Sequence, residues 1–315
     1  VGLGGRLDAT NVITLLVSVI TNVSMDHEMY LGNTLKEIAG EKAGVIKKGI
    51  PVVSGVGIGE TEDERTVLSV VERFCQERSA PLFLHGRDFF VEPESDGSWN
   101  YWAMKRKGCC RLREKITGLT ANLKGKYQMI NTGLALATLE FLDQFGFSVD
   151  ESQIRSGLLE VSWPGRLETF CLSKVDGSQV DCTAEDSLHY LLDGAHNPAG
   201  IASLQEALEN DFQYNRLILV WAAMSDKDFR AALPQIARQA QVIIFTRLEY
   251  ERSAQPEELL DALPENIQDR VICENSLDAA LAKAAELAGR NDLICIAGSV
   301  YLIGEARARL LGKII

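Results

Sequence analysis

The run Asp193-Gly-Ala-His196-Asn-Pro198 puts a carboxylate, an imidazole and a helix start within a few residues of one another. It follows the apolar run His189 to Leu192 and precedes a helical pattern, so Asp193 and His196 are expected at a strand-to-helix ligand edge rather than in a core. Pro198 suits the first helical turn, Asn197 can cap it, and the free amides there favour anions. Arg166 follows Trp163-Pro-Gly165, where a guanidinium can grip a phosphate or carboxylate with two hydrogen bonds. An interdomain salt bridge is the plain alternative. Ser299, in Ala297-Gly-Ser-Val-Tyr301, ends the last apolar run. The chemistry suggested is the handling of anionic groups.

A second set lies near the start. His27 closes Asn22-Val-Ser-Met-Asp-His27, just beyond the apolar run Val17 to Val23, and Lys42 follows fifteen positions later in a helical stretch ending at Gly44. A strand end exposes side chains to a ligand crevice, although a lone histidine there is more often structural and a lysine in a Glu-Lys pair more often solvated. The opening Val1-Gly-Leu-Gly-Gly-Arg-Leu-Asp-Ala-Thr-Asn11 lacks the strand and helix of a dinucleotide fingerprint and reads as a tight loop. With no initiator methionine and no upstream strand, the chain reads as a fragment. Gly125-Lys126 and Gly312-Lys313 are followed by Tyr and Ile, so neither makes the phosphate cradle of a P-loop.

These residues need scaffolds. From Arg216 onward, apolar runs at Leu217 to Val220, Val242 to Phe245, Arg270 to Cys273 and Leu293 to Ala297 alternate with Ala/Leu/Glu-rich helical stretches. That pattern predicts an α/β fold with a parallel sheet covered on both faces. Residues 164–315 are expected to form one Rossmann-like domain, with Trp163-Pro164-Gly165 as the hinge. Residues 1–163 are expected to form a first, less regular domain. They hold strands at Val17 to Val23 and Pro51 to Ser54, helices over Thr34 to Ala43, Thr61 to Glu77 and Gly125 to Gly146, an Asp150 cap, and a small antiparallel insertion over Phe83 to Arg113.

With 315 residues and 46% hydrophobic content, two ordinary domains can each bury a core. A net charge of -12 argues against a nucleic-acid surface or a polybasic membrane anchor. Seven cysteines without a metal-type pair, two of them adjacent, suit a reduced thiol pool and an incidental role. No apolar run is long enough to span a bilayer.

Taken in order, the glycine loop Gly4-Gly-Arg-Leu-Asp-Ala-Thr-Asn11, Met25-Asp-His27 through Glu41-Lys-Ala-Gly44, Trp163-Pro-Gly-Arg166, Leu192-Asp-Gly-Ala-His-Asn-Pro198 and Met224-Ser-Asp-Lys-Asp228 resemble the folylpolyglutamate synthase / dihydrofolate synthase family. The resemblance implies an ATP-dependent ligase of the Mur type that adds L-glutamate to a folate or to dihydropteroate through an acyl phosphate. It implies that residues 1–163 are part of a central ATP-binding domain and residues 164–315 a glutamate ligase domain, with a P-loop and a metal-binding glutamate upstream of Val1, ATP as cosubstrate, and two magnesium ions. Leu7, Asp8 and Ala9 would border the pterin-bearing substrate. His27 and Lys42 would serve the metal, Lys42 as a carbamate. Asn131, Arg166 and Asp193 would contact ATP, while His196 and Ser299 would lie at the acyl phosphate and glutamate, with Lys227 a further basic candidate. Tyr127 stands where the family more often has histidine, and Ala222 where it usually has glycine. Small-molecule substrates, a cytoplasmic monomer, and no nucleic-acid or membrane partner are expected. A muramyl peptide ligase and a noncatalytic nucleotide-binding remnant are the alternatives.

Overall fold

The computed structural model describes residues 4–26, 28–104, 115–225 and 229–312, and His27, Cys109, Cys110 and Lys227 fall outside them. Two compact units divide the chain, one comprising residues 1–122 and 126–161, the other 123–125 and 162–315.

The first unit is built on three short parallel strands, β1 (Ser18–Ile20), β2 (Val52–Ser54) and β3 (Leu82–Leu84), in the order β1-β2-β3. Helices α1 (Glu28–Leu31), α2 (Leu35–Ala43) and α3 (Glu62–Glu77) connect them. Thr34 and Thr61 cap α2 and α3, each hydroxyl accepting a hydrogen bond from the amide three residues on, so both helices start where a threonine precedes a glutamate-bearing first turn. Ala39 and Ala43 of α2 pack with Val67, Val70 and Val71 of α3 and with Ile20 and Val52 into one apolar cluster. The strand expected over Val17 to Val23 is only three residues long.

Strands β4 (Phe89–Pro93), β5 (Trp99–Ala103) and β6 (Ile116–Leu119) form the antiparallel insertion. Its expected start at Phe83 is corrected: Leu82–Leu84 pairs parallel with β2 and belongs to the first sheet. A short apolar run carries no mark of which sheet will take it. Helix α4 (Lys126–Leu142) packs on β2 and β4, and α5 (Glu151–Glu160) begins at Asp150 with a full capping box to Gln153.

The second unit holds a six-stranded sheet, order β11-β10-β9-β12-β8-β7, from β7 (Glu168–Ser173), β8 (Ser187–Leu192), β9 (Leu217–Trp221), β10 (Val242–Phe245), β11 (Val271–Cys273) and β12 (Leu293–Ala297). All neighbours run parallel except β7, which lies antiparallel on β8. Every residue of β9 and β12 is buried, as a sheet covered on both faces requires. Helices α6 (Pro198–Asn210), α7 (Phe229–Ala237), α8 (Pro256–Leu260), α9 (Glu265–Gln268), α10 (Leu277–Leu287) and α11 (Val300–Leu311) supply the cover. The sequence reading contains no β7, because the short stretch Glu-Thr-Phe-Cys-Leu-Ser of an edge strand lacks an uninterrupted apolar run.

The expectation of reduced, incidental cysteines is also corrected. Cys171 on β7 is bonded to Cys182 in the loop that returns to β8, eleven positions later. That spacing resembles no metal or redox motif, and only the antiparallel return of the chain brings the two sulfurs together. Among the described residues, no helix is long and apolar enough to cross a membrane.

Candidate functional site

In the first unit, the glycine loop is seated on the end of α2. The Arg6 amide donates to the Glu41 carbonyl at 2.9 Å, and its guanidinium pairs with the Glu41 carboxylate at 3.0 Å. The Asn11 side chain donates to the carbonyls of Arg6 and Gly44, while Lys47 Nζ donates to the Asn11 carbonyl at 2.7 Å. The fit leaves no room for side chains at two points. A Cβ on Gly5 would stand 2.6 Å from Val45 Cγ1 and 2.8 Å from the Lys42 carbonyl oxygen, and one on Gly44 would stand 2.5 Å from Arg6 Cα. The glycines are therefore required for close approach to α2, a reason more specific than a tight turn.

Asp8 caps the 3-10 turn Ala9–Val12, accepting from the Thr10 amide at 2.9 Å and from its hydroxyl. Leu7 is 77% exposed and Ala9 is also exposed. Docking of the loop thus presents an apolar side chain outward at Leu7, beside a carboxylate turned back on its own backbone.

Lys42 lines a cavity of about 250 Å³ together with Gly4, Asn11, Ser18, Thr21 and Asn22. Burial pushes its amine below the usual lysine range, and the Asp26 carboxylate opposes that shift. Burial disfavours the ammonium, so the neutral amine is reached more easily here than on a surface lysine. Asp26 is a site residue that sequence reasoning passed over. It sits in the quoted Met25-Asp-His27 block, but nothing in the sequence says that Lys42 is the charge it faces. Asn131 is exposed on α4 and donates to Gln128 Oε1 at 3.1 Å within its own helix. One turn further, Leu134 lies against Gly55, whose Cβ position also approaches the Thr21 carbonyl. Asn131 accordingly stands near the carboxyl edge of β1 and β2.

In the second unit, Asp193 and Ser299 occupy the ends of the neighbouring strands β8 and β12, and Arg166 lies beside the turn after β8. Asp193 departs from the expectation of a ligand-edge side chain: it is buried, with Oδ2 accepting from the Leu167 amide and Oδ1 from the Ala195 amide, both at 2.9 Å. Burial drives its carboxyl upward from the usual range, against the opposing pull of those two amides and of Arg166 and His196. Leu167 is buried at a φ of 46°, a left-handed conformation that Asp193 helps to hold. No sequence signal marks a leucine for that conformation, and its amide is the contact sequence reasoning missed.

The Arg166 guanidinium donates to the Gly165 carbonyl at 3.2 Å, and any Cβ on Gly194 would collide with it. The Gly194 amide donates to the Gly165 carbonyl, and the Gly298 amide to the Ala195 carbonyl. Three turns, at 165–167, 193–196 and 298–299, are thereby laced together. His196 Nδ1 lies 2.8 Å from the Gly194 carbonyl oxygen, an acceptor, so Nδ1 carries the proton and Nε2 is the basic nitrogen. Asn197 caps α6 by accepting from the Gly200 amide at 2.8 Å, with Pro198 in the first turn. Ser299 is buried and caps α11, its hydroxyl accepting from the Tyr301 amide at 3.2 Å. Two helix starts, a guanidinium and an imidazole at the carboxyl edge of a parallel sheet can bind an anion and move a proton beside it.

The second unit is thus a parallel sheet with one antiparallel edge strand and two helix starts at its carboxyl edge, and its sequence places it among ligase domains of the Mur type. Residues 179–300 match the family model described as Mur ligase, glutamate ligase domain. The chain is 31% identical over 98% of its length to the dihydrofolate synthase/folylpolyglutamate synthase of Bacillus subtilis, covering 66% of that protein. To the dihydrofolate synthetase of Saccharomyces cerevisiae it is 30% identical over 97% of its length, covering 69% of that protein. Among solved structures, the Mycobacterium tuberculosis folylpolyglutamate synthase complexed with ADP and AMPPCP superimposes with a TM-score of 0.81 at 28% identity, covering 100% of this chain and 68% of that one. The bifunctional folylpolyglutamate synthase/dihydrofolate synthase of Yersinia pestis, complexed with AMPPNP and Mn ion, gives 0.79 at 25% identity, over 98% of this chain and 65% of that one. The chain belongs to the folylpolyglutamate synthase / dihydrofolate synthase family of ATP-dependent ligases. It spans about two thirds of the length of these curated relatives.

Proposed function

We propose that this protein uses ATP to join L-glutamate to the carboxylate of a folate-type acceptor, either tetrahydrofolate and its glutamylated forms or dihydropteroate, in the cytoplasm and as a monomer. The acceptor carboxylate attacks the γ-phosphorus of ATP, ADP leaves, and an acyl phosphate forms. The glutamate amine then attacks the acyl carbon, loses a proton, and inorganic phosphate departs as the amide is made. The observation that carries this reading is the laced turn Asp193 to His196, inside the region that matches the glutamate ligase domain.

In this scheme the roles divide by geometry. Arg166 offers a fixed cation, and the start of α6 offers amides, to the phosphoryl oxygens. Asp193 holds Leu167 and Ala195 in place and reaches ATP through its remaining acceptor capacity. His196, protonated at Nδ1, takes the amine proton at Nε2. Ser299 would orient the incoming glutamate. In the first unit, Leu7, Asp8 and Ala9 would border the pterin-bearing substrate, and Asn131 would contact the nucleotide. Lys42 and His27 are proposed to serve divalent metal, two magnesium ions being expected. The fit rests on the half-buried Lys42 amine, which favours the neutral form that takes up CO2 to become an oxygen-donor carbamate. When bound, magnesium neutralises charge on the phosphoryl oxygens.

The test is product analysis. The full-length protein incubated with Mg-ATP, L-glutamate and either dihydropteroate or a reduced folate should yield an acceptor heavier by one glutamyl residue. Product with a uridine-linked muramyl acceptor alone would assign it instead to the muramyl peptide ligases.

A further inference from the structure

We propose that Cys171, Cys182 and His189 form a thiol-dependent site for a zinc-class divalent ion, on the opposite half of the six-stranded sheet from Asp193 and Ser299. Their ligand atoms all lie within 4.8 Å of one another. Cys171 and His189 are register partners across the antiparallel pair β7 and β8, so their side chains rise side by side from one face of the sheet. Cys182 is delivered by the intervening loop, which is pinned by local bonds. The Ser178 and Thr183 amides donate to Asp176 and Asp181, the Ser173 hydroxyl donates to Asp186, and the Val180 amide donates to the Cys171 carbonyl. The cluster is therefore positioned by strand register and a braced turn.

The bonded pair and the metal site are two states of the same atoms. A dithiol reductant opens the Cys171–Cys182 bond, taking up the disulfide itself and leaving two thiols. Binding of the ion then releases two protons, giving two thiolate ligands and one neutral imidazole. Sulfurs held by one tetrahedral ion sit about 3.8 Å apart from Zn–S bonds of about 2.3 Å, a spacing the pair can take only once its bond is opened, and the His189 ring lies within 4.8 Å of both. Two thiolates and an imidazole select zinc over the harder magnesium. Ser187 Oγ, 3.4 Å from His189 Nε2, steadies the ring.

The three residues line a cavity of about 500 Å³ shared with Lys124, Thr169, Tyr214, Asn215 and Asn291. Three protein donors leave a fourth position on the ion, and this cavity has room for a water or a small anionic ligand there, with Lys124 as its cation. Strand order explains why the cavity lies where it does: Asn215 and Asn291 precede β9 and β12, at the amino edge of the sheet.

The test uses Co2+ as the spectroscopic probe on the full chain, with Cys109, Cys110 and the exposed Cys273 replaced by Ser, so that the only other thiols left are the buried Cys75 and Cys295. After reduction with a phosphine, which does not itself supply thiols, one equivalent of Co2+ should produce a thiolate-to-metal charge-transfer band and the visible bands of a tetrahedral ion, both displaced by Zn2+. Before reduction neither should appear. Cys182→Ser, at an exposed position, and His189→Gln should each abolish or strongly weaken the bands. A second readout is thermal: Zn2+ should raise the melting temperature of the reduced chain and leave that of Cys182→Ser unchanged. Absence of the bands in the reduced chain, or their persistence in either variant, overturns the proposal.

Discussion

Replacing Asp193 by Ala removes the acceptor of two buried amides at once. The amides of Leu167 and Ala195 both lie in buried residues and both donate to this carboxylate at 2.9 Å. Each buried donor left without a partner costs about 1–3 kcal/mol. Substitution also relieves the desolvation that pushes the Asp193 carboxyl upward, which offsets part of the loss. A net destabilisation of about 2–3 kcal/mol is expected, a large share of a domain stability of about 5–15 kcal/mol. Urea unfolding followed by fluorescence should report it, because Trp221 is fully buried beside this edge of the sheet. With a slope of about 2 kcal/mol/M, the midpoint should fall by about 1 M. Asp193→Asn should recover no more than part of that, since its amide turns a donor toward one of the two N–H groups. A midpoint unchanged within about 0.2 M would refute the view that Asp193 ties the turns at 165–167 and 193–196 together.

His196→Ala should behave in the opposite way, cutting turnover while moving the melting temperature little, because the ring is half-buried on a turn; near-normal turnover would remove His196 from the proton path. Gly5→Ala should unseat the loop from α2, since its Cβ meets the Lys42 carbonyl at 2.8 Å, and acceptor KM should rise at least about tenfold; an unchanged KM would show that loop seating and acceptor binding are unconnected. For Lys42, carbamate formation needs the neutral amine. Because burial lowers the Lys42 pKa below 10.5, the carbon-13 carbamate signal from labelled bicarbonate should appear at lower pH than for exposed lysines and grow as pH rises through the lowered value. A signal absent at every pH, together with normal activity of Lys42→Ala, would leave Lys42 a structural lysine.

Much of this was legible in the sequence because the signals are local. Alternating apolar and helical runs mark the parallel strands of the second unit, and Pro198 after Asn197 marks the start of α6. Thr34, Thr61 and Asp150 announce three helix starts by their caps. What escaped depends on residues that meet only after folding. Asp26 beside Lys42, the buried bridge from Asp193 to the left-handed Leu167, and the bond between Cys171 and Cys182 all join segments whose separation carries no periodicity. Strand β7 was missed for a related reason. As an antiparallel edge strand it is more polar and less fully buried than β9 and β12 at the middle of the sheet.

The central claim is that phosphoryl transfer to a folate-type carboxylate is coupled to glutamate addition, and the stoichiometry of one reaction tests it most directly. With the full-length protein, Mg-ATP, isotopically labelled L-glutamate and a reduced folate or dihydropteroate, ADP release and labelled product should rise together in equal amounts, and omission of either acceptor or glutamate should leave no amide product. ADP formed at the same rate without any acceptor, or no labelled product with either pteridine substrate, would contradict the account.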